Sequence, residues 1–372
     1  MSFTTSVIGS LPRPKWLVEA RESEYPRIEA LEQIAIEDAI NLQKGIDVIT
    51  DGEQSRSSFV SFVGGRIPGF RTMRIEELHP DAIDILRRSR TQLTYSRAVV
   101  TSRIDYGELI MKDLARAKGI APDAKFKVTL PDPYLVMWEC WHSELSKAAY
   151  PDPVDFAEDY AKLSRRLISE LTGSGAFMVQ LDSPMLGDLT EGGDAPDRYH
   201  EILTALYGQK YRGFKEEKAL AVKLLNSALS GRGDFKIGVH MDRWPNQDSP
   251  YFGQGYERLM PEMLGIEADQ FALEYTSQGC GDPAQLAGNL KSDRFEFAVG
   301  CVSVRDRGVE TPQQIAARVK PVADIIGGAR TWLVPDCGFA PGMYRPFPNE
   351  SIRGKFQSMV AAAEILRKEY GS

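Results

Sequence analysis

Short runs rich in β-branched and aromatic residues alternate along this chain with longer stretches in which apolar positions recur every three or four residues. Eight such runs stand out: residues 5–10 (TSVIGS), 46–50 (IDVIT), 126–130 (FKVTL), 177–181 (FMVQL), 235–239 (FKIGV), 271–275 (FALEY), 295–304 (FEFAVGCVSV) and 331–334 (TWLV). Continuous runs of this kind are expected of parallel strands buried on both faces. Between them the helical period predicts helices over residues 28–44, 154–172, 196–229, 256–264, 283–290 and 312–326, with a closing helix over 351–369. Asp152, Asp282 and Thr311 stand where N-caps belong, and Pro153, Pro283 and Pro312 follow them at the first helical position. Eight strand-then-helix units predict an α/β fold, a (β/α)₈ barrel rather than an open sheet. No Pro- or Ser-rich linker and no internal repeat divides the chain, so residues 1–372 read as a single barrel domain. One segment departs from the pattern. Residues 71–113 contain the alternating stretch LTYSRAVVTSRIDYGEL, which predicts an antiparallel excursion between the second and third barrel strands.

The predicted strands end on polar groups. In chain order these are Ser10 and Arg13, Asp51 and Glu53, Asp132, Asp182, His240 and Asp242, Glu274, Arg305, then Asp336 and Cys337. In a barrel the C-terminal strand ends form the active face, so a titratable group at nearly every end is the pattern of an enzyme. Loops are polar in any protein; the abruptness with which a titratable group follows the apolar run argues for more than that.

Composition narrows the partner. Forty-five basic against 52 acidic residues give a net charge of −7, which leaves no basic footprint for nucleic acid and favours a small-molecule substrate. With 42% hydrophobic residues a full-sized core can be buried. The opening MSFTTSVIGSLPRPK has no basic stretch followed by an apolar run, and no window approaches a membrane span, so the expectation is a cytoplasmic protein without a membrane partner. The four cysteines, Cys140, Cys280, Cys301 and Cys337, lack framework spacing and are expected as reduced thiols. A homo-oligomer is left open.

The strand-end residues include a metal-ligand set. Zinc takes imidazole nitrogen, thiolate sulfur and carboxylate oxygen, and a catalytic zinc keeps one position open. GVHMDRW supplies His240 and Asp242, which an extended strand end turns to the same side; LEYTS supplies Glu274 and VPDCGF supplies Cys337. Each has an ordinary alternative: a core histidine, a strand-end ion pair for Glu274, an inert buried thiol for Cys337, and a pairing of Asp242 with Arg243.

These motifs resemble the cobalamin-independent methionine synthase family, specifically its C-terminal catalytic barrel and the short stand-alone members. VIGSLPRP is similar to the family's opening Ile-Gly-Ser segment, GIDVITDGEQSR to its Gly-Glu block, VQLDSP to its Gln-x-Asp-Glu-Pro block and VPDCGF to its Pro-Asp-Cys-Gly motif, so that the resemblance covers nearly the whole chain. It implies zinc-dependent transfer of a methyl group from a methyl-folate co-substrate to a small thiol such as homocysteine. His240, Glu274 and Cys337 fall on the metal-ligand positions, and Ser10, Glu53 and Asp182 on positions that hold the amino-acid substrate. Arg13, Asp132 and Arg305 complete the candidate substrate-binding residues, and Asp182 and Arg305 are the candidate catalytic pair. Among this chain's departures from the family, which include Ser183 in the Asp-Glu-Pro block and Thr129 to Asp132 in place of a glycine-containing stretch, two fall on the metal and proton-donor positions. Asp242 replaces the cysteine of the family's His-x-Cys, and Arg305 stands where the family carries a proton-donating histidine. Arginine is no general acid near neutral pH, but it can bind an anionic group.

Other readings therefore stand beside methyl transfer to a thiol. One is a zinc-dependent thiol lyase or epoxide-opening alkyltransferase without folate. Another is a metal-free, decarboxylase-like barrel in which Arg13, Arg305 and Arg307 clamp carboxylates. The last is a ligand-binding barrel that has lost turnover.

Overall fold

The fold is given by a computed structural model, which describes residues 2–78, 96–189, 198–242, 255–277, 279–290, 294–340 and 347–371. Among the described residues there are ten strands: β1 (Thr4–Thr5), β2 (Val48–Ile49), β3 (Phe70–Arg74), β4 (Ser96–Val100), β5 (Lys125–Pro131), β6 (Met178–Asp182), β7 (Ile237–Met241), β8 (Gln270–Glu274), β9 (Glu296–Val302) and β10 (Thr331–Pro335). Eight of them pair in parallel in the order β1-β10-β9-β8-β7-β6-β5-β2, and Ser6, just past β1, bridges to Val48 of β2 and closes the ring. The expected α/β barrel is present.

Alternation along each strand sorts residues between two environments. Phe126, Val128 and Leu130 of β5, Val179 and Leu181 of β6, Val239 and Met241 of β7, and Phe271 and Leu273 of β8 join the main core under the surrounding helices. A smaller cluster of Ile8, Val48, Met178, Ala272, Ala298, Trp332 and Val334 fills the barrel lumen. Of the opposite parity to the helix-facing set are Lys127, Thr129, Gln180, Asp182, His240 and Glu274, and every one of them is buried. The lumen thus holds an apolar cluster beside buried polar side chains, among them Asp182, His240 and Glu274 at or near the C-terminal ends of their strands.

The caps are as the sequence predicts. Asp152 accepts from the Val154 amide, Asp282 from the Ala284 amide, and Thr311 forms a capping box with Gln314. Several boundaries differ. Regular pairing at the first two strands is only two residues long, because the chain leaves the ladder at Val7 and Thr50 to build loops. The strand expected over 235–239 is β7, Ile237–Met241, and its later end places His240 inside the ladder. The helix expected over 196–229 is two helices, Arg198–Tyr207 and Phe214–Leu229; Gly208 and Gly213, at φ 67° and 101°, take left-handed conformations that a continuous helix excludes. Residues 196 and 197 lie outside the described residues.

The expected excursion exists as an antiparallel pairing of β3 with β4, in the register Phe70 to Val100 through Arg74 to Ser96. It starts one residue earlier than predicted, and its end is corrected too, since Met111–Ile120 is a helix. Residues 79–95 lie outside the described residues. Arg97 of β4 pairs with Glu139 at 2.6 Å and so ties the hairpin to the helix Pro133–Cys140 that follows β5. Trp138 and Trp141 on that segment are buried, as packing residues should be. Among the described residues no helix is long and apolar enough to cross a membrane.

Candidate metal centre

Asp182 lies opposite His240 in the register of β6 and β7, so the two side chains enter the lumen side by side. His240 Nδ1 lies 3.2 Å from Asp182 Oδ1, and Nε2 lies 3.2 Å from the Asp336 carbonyl. Asp242, two residues on, faces the same way as its alternation requires, and accepts a hydrogen bond from Cys337 Sγ at 2.9 Å. One ligand atom from each of His240, Asp242 and Cys337 lies within 4.8 Å of the other two. The second oxygen of Asp242 is buried with no hydrogen-bond partner, an expensive arrangement for a carboxylate unless a cation completes it. Nitrogen, oxygen and sulfur donors at one point make a set of the kind that holds zinc with a position left open. Arg243 lies outside the described residues.

The protons on these groups follow from their surroundings. Burial pushes the Asp242 carboxyl up. Burial likewise pushes the Cys337 thiol well up, and Asp242 beside it adds to the effect. For His240 burial disfavours the charged form, but the hydrogen bond and charge of Asp182, with Asp242 and the Asp336 carbonyl, outweigh it, and the imidazole titrates above its ordinary range.

Glu274 is placed differently. Its carboxylate forms a very short ion pair with Arg305, whose guanidinium also lies 3.8 Å from Asp336; the Arg305 side chain is 8% exposed and that of Glu274 fully buried. Among the described residues Glu274 is not part of the tight His, Asp and Cys group. Asp336 accepts from the Tyr275 and Thr276 amides at 3.0 and 3.1 Å, tying the end of β10 to the end of β8. Burial, reinforced by Glu274, pushes the Asp336 carboxyl up to about 7.

The remaining candidates ring the same face. Ser10 lies against Gly338, the residue after Cys337: a Cβ on that glycine would sit 2.2 Å from Ser10 Oγ. Glu53 is buried at φ 56°, a left-handed conformation uncommon for a side-chain-bearing residue, and accepts from Thr129 Oγ1 at 2.8 Å. A Cβ at Gly9 would meet Glu53 Oε1 at 2.5 Å, so only glycine lets the first loop pass over this carboxylate. Arg13 is turned to the backbone, donating to the carbonyls of Arg56 and Glu53 at 2.7 and 3.0 Å. Asp132 caps the helix Pro133–Cys140 by accepting from Tyr134 and Leu135; burial nevertheless pushes its carboxyl up to about 6. Arg307 is exposed.

Two buried polar residues escape a reading by strand ends, because they lie inside strands. Lys127 of β5 donates to Gln180 Oε1 at 2.5 Å and to the Val7 carbonyl, and Gln180 Nε2 donates to Asp182 Oδ1 at 2.6 Å. A charged residue in the middle of an apolar run was the available signal.

Comparison with known proteins extends the picture to the whole chain. No protein-family model matches it. It is 26% identical over 374 residues to a methionine synthase from Sulfurisphaera tokodaii, covering 98% of this chain and 93% of that one. It is also 26% identical over 377 residues to a methionine synthase from Saccharolobus solfataricus, covering 98% and 95%. The structure of a B12-independent methionine synthase from a Shewanella species, in complex with selenomethionine, superposes with a TM-score of 0.72 at 19% identity, covering 99% of each chain.

Proposed function

We propose, from the premise that this chain belongs to the cobalamin-independent methionine synthase family, that it transfers a methyl or other alkyl group involving a small thiol, at a zinc centre held by His240, Asp242 and Cys337. The observation that carries the reading is the convergence of these three donors at the strand-end face of the barrel. A zinc ion bound there would supply the Lewis acidity that keeps a substrate thiol as its thiolate, the nucleophilic form, at neutral pH.

This chain's own residues would do the rest. Glu53 and Asp182 present carboxylates to an amino-acid ammonium group, and Ser10 borders the same pocket beside the Cys337 loop. In the net reaction the sulfur–carbon bond forms, the bond from carbon to its leaving atom breaks, and the proton from the thiol ends on the leaving group. Arg305 does not deliver that proton: it is always charged, and Glu274 and Asp336 hold it in place. That arrangement favours a second reading as well, an alkyltransferase or lyase whose donor needs no proton from this position and no folate. By contrast, the arginines required by a metal-free carboxylate clamp have separate surroundings, with Arg13 on backbone carbonyls, Arg305 in an ion pair and Arg307 exposed.

Elemental analysis of protein purified without chelator is expected to find zinc near one per chain, and the holoprotein is expected to alkylate homocysteine or another small thiol. Zinc near zero together with no thiol alkylation across a panel of methyl and alkyl donors would sink the proposal. Calorimetry with methyl-folate then separates the two readings, saturable binding counting for the synthase and against the lyase.

Zinc binding should also tighten as pH rises. His240, Asp242 and Cys337 all hold their protons above their ordinary ranges, and a metal must displace those protons. Acidification therefore favours the metal-free form. Competition titrations at several pH values read this slope, and an affinity that is flat or falls with rising pH contradicts the assignment.

A further inference from the structure

Lys127 stands in the middle of β5, buried, with its ammonium group in the lumen beneath the centre. Burial pulls its pKa down to about 7, so the fold bears a cost to keep an amine there. Its hydrogen-bond partners are oxygens that only accept: the Val7 carbonyl and Gln180 Oε1. Gln180 Nε2 in turn donates to the Ile8 carbonyl at 3.1 Å and to Asp182 Oδ1 at 2.6 Å. A flipped amide would set its oxygen against a carbonyl and a carboxylate and its NH₂ against the amine. The amide therefore has one orientation. Asp182 Oδ1 accepts from it and also lies 3.2 Å from His240 Nδ1, which donates. The donor direction runs without a break from Lys127 through Gln180 to Asp182, and His240 meets Asp182 from the other side.

We propose that Lys127 is a positioning residue for this centre, fixing the orientation and tautomer of His240 through Gln180 and Asp182. The inference rests on the zinc reading above for its consequence but not for its geometry. With Nδ1 committed to Asp182, Nε2, 3.2 Å from the Asp336 carbonyl, is the ring nitrogen that remains for a metal. Carboxylates behind ligating histidines act in this way, and losing one weakens metal affinity about 10–100-fold. Here the carboxylate is itself aligned by an amide, and the amide by an amine. Lys127 hydrogen-bonds to none of the three donors; its hydrogen-bond partners are Gln180 and the Val7 carbonyl at the start of the first loop, so its effect on His240 would pass through Gln180 and Asp182.

The test uses two variants of the full chain. Lys127→Met removes the donor to Gln180. Gln180→Glu keeps the side-chain volume, gives Lys127 an ion-pair partner, and presents oxygen instead of N–H to Asp182. In folded protein, each is expected to bind zinc about 10–100-fold more weakly than the unsubstituted chain. The ¹⁵N resonances of the His240 ring in metal-free protein, read at a pH high enough that the ring is neutral, are expected to move toward a mixture of tautomers. A role confined to packing would leave those resonances in place. Unchanged His240 resonances together with unchanged zinc affinity in either folded variant overturn the proposal. If Lys127→Met does not fold, Gln180→Glu decides on both readouts. If the unsubstituted chain binds no zinc, the proposed function falls, while the His240 resonances of the variants still decide this inference.

Discussion

Cys337→Ser is expected to weaken zinc binding by more than about 100-fold, beyond the range seen on losing a residue that only supports a ligand, and to abolish thiol alkylation. Cys337 Sγ is the soft donor of the group, and its partners His240 and Asp242 supply one nitrogen and one hard oxygen. Among the described residues the group His240, Asp242 and Cys337 contains one sulfur, so the site has no soft ligand to spare. Serine keeps the size of the side chain but supplies an alcohol whose proton is far harder to displace. The effect should be specific to this cysteine. Cys301 is buried and turned to the Val334 carbonyl at 3.5 Å, on the helix-facing side of its strand, so Cys301→Ala should leave zinc affinity unchanged. X-ray absorption of the zinc protein is expected to find one sulfur ligand, lost in Cys337→Ser. Two sulfurs in the unsubstituted chain would mean that a second cysteine or a bound thiol shares the ion, and an unaltered affinity in the variant would remove Cys337 from the centre.

Much of this arrangement is legible in the sequence, and the rest is not, for physical reasons. His240 and Asp242 were legible because a residue spacing of two is the period of a strand, and the structure turns both toward Cys337. The barrel was legible because eight runs alternate with capped helices, and the caps at Asp152, Asp282 and Thr311 are as expected. Glu274 shows the limit. Its type and strand-end position fit a ligand equally well as a counter-ion, and the choice depends on Arg305, whose proximity is set by the pairing of β8 with β9 and by the loop that follows β9. Sequence carries no distance between those ends. Lys127 was hidden differently. FKVTL is buried on both faces, but alternation turns Phe126, Val128 and Leu130 to the helices and Lys127 and Thr129 to the lumen. A lysine and a threonine at alternate positions were the sign that this strand faces two different interiors. The two shortest strands were legible, but their ends were not: TSVIGS stays apolar past its pairing at Val7 and Ile8, and Thr50 leaves the ladder to donate to the Gly9 carbonyl.

Glu274→Gln, in metal-free protein, is expected to lower stability by about 3–5 kcal/mol, the usual consequence of removing one member of a buried ion pair. The Arg305 side chain is 8% exposed and that of Glu274 fully buried, so water cannot replace the lost carboxylate. Asp336, 3.8 Å from the same guanidinium, would recover part of the loss, which puts the lower end of that range nearer the outcome. A double variant, Glu274→Leu with Arg305→Leu, removes both charges and should regain most of the stability, because the desolvation cost leaves with the pair. Urea unfolding of the three proteins, each stripped of metal, measures this cycle. The same variants decide between the two roles open to Glu274. If it is the counter-ion of Arg305, Glu274→Gln costs stability without metal and leaves zinc affinity within the mild range of a supporting residue, at most about 100-fold. If it is a ligand that leaves Arg305 when zinc binds, the metal-free protein loses the same stability but the loss of affinity exceeds that range. A metal-free Glu274→Gln protein less than about 1 kcal/mol below the unsubstituted chain, in the range of an exposed pair rather than a buried one, would show that Arg305 does not depend on this carboxylate.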